Sequence, residues 1–256
     1  MNAIRLPNEP RTRRLPAEDE LPYEDGEKVE STWHLLQMIL LRETIVALLV
    51  DWYVGANMFL YYDKDGDKTR NFKGPDFFVV KNVPDPQRAR LSWMTWNEGG
   101  KRPNVVIELL SETTRALDKG DKKLVYQNDL KVPEYFMFDP SGEMTGFRLI
   151  DGVYQPIKPN QRGRLISTEL NLALCAWPGV YEQLDATWLR WETQDGQLLL
   201  TNSEKTELER KAKEQAIQRG EQERKAKEQA IQREELERAE KERLLAILKA
   251  HGLDPK

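Results

Sequence analysis

The sequence predicts an α/β fold, a mixed β-sheet flanked by helices and followed by a long C-terminal helix. A run of Val and Ile at 104–110, a helical pattern at 112–130 and the apolar run Glu134-Tyr135-Phe136-Met137-Phe138-Asp139 read as strand, helix, strand. A second apolar run, Phe77-Phe78-Val79-Val80 after Gly74-Pro75-Asp76, supplies a neighbouring strand. The tail is the third feature: Glu209 to Arg219 recurs without change as Glu223 to Arg233, a period of 14 residues or two heptads.

Along the chain, residues 1–28 are polar and rich in proline and charge, and read as a flexible leader. A folded domain is expected over 29–201 and a charged helical tail over 202–256. Glu30-Ser31-Thr32-Trp33 opens a helix whose apolar face runs through Leu35, Leu36, Ile39, Leu40 and Ile45 to Leu49. Extended segments follow at 52–54 and 58–62. The polar turn Asp63 to Lys68 is no calcium loop, because Lys68 and Gly74 stand where that loop needs Gly and Glu. Strands are expected at 76–81, 91–96 and 104–110, a helix at 112–130, and a strand at 134–139. Short strands with turns then extend to about residue 200.

Composition excludes several classes. The 256 residues hold 39 Lys and Arg against 43 Asp and Glu, a net charge of −4. A net acidic chain argues against coating nucleic acid by bulk charge, while leaving room for a local basic groove. Cys175 is the single cysteine, so no thiolate metal site or internal disulfide can form. His34 and His251 are the two histidines, and neither zinc nor a Ser/Cys–His nucleophile system can be assembled from them. No Walker or Rossmann glycine loop occurs. The N-terminus lacks an apolar signal segment and no stretch reaches the roughly 18 apolar residues of a membrane span, so a cytoplasmic protein without membrane contact is expected.

The chemistry rests on two acids. Glu108 lies within Val105-Val106-Ile107-Glu108-Leu109-Leu110, and Asp76 opens the other apolar strand. A buried carboxylate in such a setting needs a metal ion or a cation to offset its desolvation. Strand alternation sends Val106, Glu108 and Leu110 to one face and Val105, Ile107 and Leu109 to the other. Asp76, Glu108 and the Leu109 carbonyl would form part of an oxygen shell for Mg²⁺ or Mn²⁺. In the helix that follows, Asp118, Lys122 and Tyr126 fall at i, i+4 and i+8 on one stripe, with Arg115 on a similar side. Lys122 is the candidate for stabilising charge at a scissile phosphate. Lys119 and Lys123 read as solvent-facing and Tyr126 as packing. Asp76 could instead cap a turn, and Glu108 could form a structural salt bridge with Lys122 or Arg115.

These motifs have a recognisable likeness. Gly74-Pro75-Asp76 with its apolar strand, Val106-Ile107-Glu108-Leu109-Leu110-Ser111, and Thr114-Arg115 with Asp118, Lys122 and Tyr126 form one part of it. Val132-Pro133-Glu134-Tyr135 with Asp139-Pro140, Tyr53-Val54-Gly55 with Asn57 to Tyr62, and Trp93 with Trp96-Asn97-Glu98-Gly99-Gly100 form the rest. Together they resemble the Uma-two family of restriction-endonuclease-like proteins, assigned to the PD-(D/E)-x-K nuclease superfamily, over about residues 30–200. The resemblance implies a restriction-endonuclease-like sheet, Asp76 as the first acid, Glu108 as the second, DNA as substrate and Mg²⁺ as cofactor. The lysine expected two positions after Glu108 is absent, since Leu110 stands there. In this family the role is thought to have moved to the following helix, which points to Lys122. An alternative role is a catalytically inactive scaffold that forms a homo-oligomer through its tail. There, Glu→Lys pairs such as Glu207–Lys211 and Glu223–Lys227 favour a helix. The heptad line through Ile217 and Ile231 meets Arg224 and Arg238, which leaves a solvated single helix and a weak coiled coil both open.

Overall fold

The computed structural model describes residues 15–24, 31–63, 71–111 and 118–250. The leader (apart from 15–24), Arg115 and most of the Asp63 to Lys68 turn lie outside them. The chain divides into two compact units, one up to Thr201 and one from Asn202 onward.

The first unit is mixed α/β. Helix α1 spans Thr32–Ile45, and strands β1 to β6 span Tyr53–Ala56, Leu60–Tyr61, Phe72–Lys73, Phe77–Val80, Trp93–Met94 and Val105–Leu109. A π-helical turn at Asp118–Lys122 leads directly into α2, Lys123–Asn128. Strands β7 to β12 follow at Glu134–Phe138, Met144–Ile150, Val153–Pro156, Leu165–Ser167, Leu172–Tyr181 and Leu184–Glu192.

Six strands form the main sheet in the order β1-β4-β6-β7-β8-β9. Its one parallel pair is β6 with β7, joined by the connection that contains the π-turn and α2, so the βαβ unit stands where the sequence put it. The remaining pairs are antiparallel. Smaller sheets are formed by β10-β11-β12 and by β3-β2-β5. Pro178 sits in β11 beyond the reach of β10, where β12 alone flanks the strand and a missing N–H breaks no ladder bond.

Each face of the main sheet covers its own core. On one face, Val105, Ile107 and Leu109 join Phe77, Val79, Phe136 and Phe138 with Trp33, Leu41, Trp188 and Trp191. On the other, Val106 and Leu110 pack with Phe78, Tyr135, Met137, Tyr126, Leu130 and Trp93. The period of 2 read from the sequence therefore holds through β6.

Helix α1 differs from its sequence reading. The Ser31 hydroxyl caps it by accepting from the His34 N–H at 3.3 Å. Its buried face is Trp33, His34, Gln37, Met38, Leu40, Leu41, Thr44 and Ile45, so Leu40 and Ile45 are buried as expected while Leu35 and Ile39 are exposed. The Gln37 amide explains the rotation. It donates to the Leu189 carbonyl at 2.9 Å and accepts from the Leu189 N–H at 2.7 Å, which turns a polar residue toward β12.

Asn202–Ala250 form one helix, α3, of 49 residues, none of them buried. The arginines on its isoleucine line bond within their own helix. Arg210 pairs with Glu207 at 2.8 Å and Glu214 at 2.5 Å, and Arg238 pairs with Glu242 at 3.2 Å. The Arg210 hydrogen bond draws the Glu207 carboxyl down to about 2. No described helix is long and apolar enough to cross a membrane.

Candidate active site

The register of β4 against β6 positions the acids. Phe77 lies across from Ile107 and Phe78 from Val106, so the next step places Asp76 across from Glu108. Residues paired this way share a sheet face and bring their Cβ atoms within about 5.5 Å. Asp76 is half-buried, and its Oδ2 accepts the Leu109 N–H at 2.7 Å. Its own carbonyl accepts the Asn57 N–H at 3.0 Å. The side chain is thus tied to the end of β6.

Glu108 is fully buried. Lys122 Nζ lies 3.1 Å from Oε2, and the Tyr126 hydroxyl donates to Oε1 at 2.7 Å. Lys122 retains 22 % exposure of its side chain, so the cation bridges the buried carboxylate and solvent. Tyr126 also packs against Tyr135 at 5.2 Å between ring centroids. Burial, then the Glu108 charge, push its hydroxyl well above the ordinary tyrosine range, and the Asp76 charge adds to the effect. Tyr126 is therefore a proton donor at any working pH, and Asp76 lies within electrostatic reach of it.

The Leu109 carbonyl lies 3.3 Å from His34 Nε2. His34 Nδ1 is 2.9 Å from the Ser31 hydroxyl. Asp76 and His34 thereby hold Leu109 by its N–H and its C=O.

The structure accordingly brings Asp76, Glu108, Leu109 and Lys122 to one strand end. It corrects two neighbouring expectations. Tyr126 does more than pack, since its hydroxyl orients Glu108. Lys123 is not solvent-facing: its ammonium lies 3.4 Å from the Phe147 ring centroid, and burial lowers its pKa. Leu124, expected on the apolar side of the helix, is exposed. It lies two residues from Tyr126, about 200° around the helix. Sequence reasoning missed His34, because a contact across 75 positions leaves no local pattern. The Tyr126 contact did have a signal, one helical turn beyond Lys122.

The donor set fits a hard cation in part. Two carboxylates and a carbonyl are oxygen ligands, and Mg²⁺ is commonly held by one or two carboxylates with water and phosphate completing its octahedron. Among the described residues, no three His, Cys, Asp or Glu side chains gather as a metal cluster.

A mixed sheet with a central βαβ unit and acids on adjoining strand ends is the framework of a restriction-endonuclease-like domain. The chain belongs to the Uma2 family: the family model, described as "Putative restriction endonuclease", matches residues 14–177. No curated protein matches the chain.

Proposed function

We propose that the protein is a cytoplasmic Mg²⁺-dependent endonuclease that hydrolyses DNA phosphodiester bonds. The observation that carries this reading is the β4–β6 register, which sets Asp76 across from a buried Glu108 that is already paired with Lys122. Asp76, Glu108 and the Leu109 carbonyl would hold Mg²⁺, or Mn²⁺ in its place. Bound there, the ion lowers the pKa of its water and screens charge developing on the phosphate.

The chain's own residues do the rest. Tyr126 fixes Oε1 of Glu108 by donating its hydroxyl proton, and stays protonated as it does so. Lys122 presents its ammonium at the solvent edge of the carboxylate, where it offsets negative charge on an approaching phosphate. The Leu109 N–H orients Asp76. With plasmid and branched DNA in Mg²⁺ or Mn²⁺, the wild type should cleave and Glu108→Ala should not. Equal behaviour on every substrate would end the enzymatic reading.

One observation favours a second reading, an inactive scaffold that oligomerises through α3. Glu108 already has both oxygens hydrogen-bonded by protein groups, so its burial is balanced without a metal ion. The tail's arginines, however, spend their charge within one helix, which is the habit of a solvated single helix. Under the nuclease reading, truncation after Thr201 leaves cleavage intact and leaves mass per particle at that of a single truncated chain. Light scattering that shows a full-length multimer reverting to monomer on truncation would support oligomerisation by the tail.

A further inference from the structure

A cavity of about 240 Å³ opens at the outer edge of β1, lined by Arg42, Tyr53, Gly55, Gln87, Arg88 and Arg90, among others. That is below the roughly 300–1,000 Å³ of a pocket for a drug-sized ligand, but several times the ~30 Å³ share of one water. With three arginines in its wall, it suits one small anionic group better than a base or a cofactor.

The arginines have distinct tasks. Arg90 is a fixed wall. Its guanidinium lies 4.7 Å from the Tyr53 ring centroid and 5.3 Å from that of Trp93, and it pairs with Glu98 at 2.8 Å. Arg88 reaches Glu98 at 2.5 Å and Glu18 at 2.9 Å. Arg42, exposed in the last turn of α1, has no acidic partner among the described residues and lies 3.4 Å through Nε from the Val54 carbonyl. Three cations thus face two carboxylates, an excess of one positive charge. Arg42, Arg88 and Arg90 line this one cavity together with Tyr53.

The position ties the cavity to the acids. Ala56 at the end of β1 pairs with Phe77, and the Asn57 N–H donates to the Asp76 carbonyl at 3.0 Å. β1 and β6 are two strands apart, about 10 Å at the ~4.8 Å spacing of neighbouring strands. That separation matches the rise of about three nucleotides along one DNA strand.

We propose that this cavity is a phosphate subsite, in which Arg42 and Arg88 hold a DNA backbone phosphate a few nucleotides from the one that faces Asp76 and Glu108. The proposal rests on the nuclease reading for its substrate class. The test is fluorescence anisotropy of the full-length chain with a labelled DNA duplex in EDTA, where no cleavage interferes. Arg42→Ala should weaken binding several-fold and lower the slope of log affinity against log salt by about one. Arg88→Ala should act in the same direction. Arg102→Ala removes the same charge at the other end of β6, where Arg102 donates to the Asp129 carbonyl at 3.1 Å, and should leave the slope unchanged. Arg42→Lys, which keeps the charge, should restore most of the slope. Equal slopes for wild type and Arg42→Ala, or a wild type without affinity for DNA, would overturn the subsite. A wild type that binds with the predicted Arg42 dependence but cleaves nothing in Mg²⁺ or Mn²⁺ would instead count against the metal site alone.

Discussion

Glu108→Gln is expected to remain folded and to lose DNA cleavage by a factor of about 10²–10³ or more, the range seen when one preorganised electrostatic group is removed from an active site. The substitution keeps the side-chain volume and leaves an amide oxygen to accept from the Tyr126 hydroxyl, which now donates at 2.7 Å. It removes the negative charge that would hold a cation and that positions Lys122 at 3.1 Å. Because Lys122 keeps 22 % of its side chain exposed, its ammonium can turn to water. The stability loss is therefore expected near the lower end of the ~1–3 kcal/mol for an unsatisfied buried partner. A purely structural pair behaves in the opposite way, with stability falling and cleavage unaffected. Urea denaturation beside a plasmid assay separates the two.

Glu134→Ala is expected to destabilise the fold by about 3–5 kcal/mol, the penalty for breaking a buried charge pair by removing one partner. Glu134 is as buried as Glu108, but its oxygens are saturated by the scaffold. Arg148 donates to it from Nε at 3.1 Å and Nη2 at 3.0 Å. Ser167 Oγ donates at 2.5 Å, and Thr168 donates through its N–H and its hydroxyl, each at 2.9 Å. These bonds tie β7 to β8 and to the chain leaving β10, so their loss loosens two sheets together. A melting temperature lower by roughly 6–20 °C follows from the size scaling of unfolding entropy. A midpoint within a degree of wild type would contradict this assignment.

The pair of glutamates shows how far the sequence can be read. Both sit in apolar strands, and both are buried without exposure. The need of a carboxylate in an apolar strand for a partner applies to Glu108 among Val, Ile and Leu and to Glu134 beside Tyr135, Phe136 and Met137 alike. It picked out Glu108, because Lys122 and Tyr126 follow at helical spacing in the next element. It gave no such hint for Glu134, whose partners Ser167 and Thr168 come from 33 and 34 residues away. The main-sheet strands and the βαβ unit were legible because apolar periodicity is local. The buried face of α1 was not, since a reciprocal amide–backbone contact between Gln37 and Leu189, 152 positions apart, decides its rotation. For the same reason Arg90 could not be read as a buried cation between Tyr53 and Trp93.

The departure at Leu110 also takes on physical meaning. Leu110 is buried with Val106 and Tyr126 in the second core, so a lysine there would bring a charge into a packed apolar layer. Lys122 reaches the same carboxylate from the helical connection, its Nζ 3.1 Å away, while 22 % of its side chain stays exposed. Lys122 in this place sets a cation beside Glu108 while Leu110 keeps the core apolar.

Calorimetric titration of Mn²⁺ into the wild type and Asp76→Asn tests the central claim most directly. The Asn variant removes one ligand charge while keeping an oxygen to accept the Leu109 N–H that Asp76 accepts at 2.7 Å. The account predicts saturable uptake by the wild type and its loss in a folded Asp76→Asn protein. No uptake by the wild type, or equal uptake by the two, would contradict it.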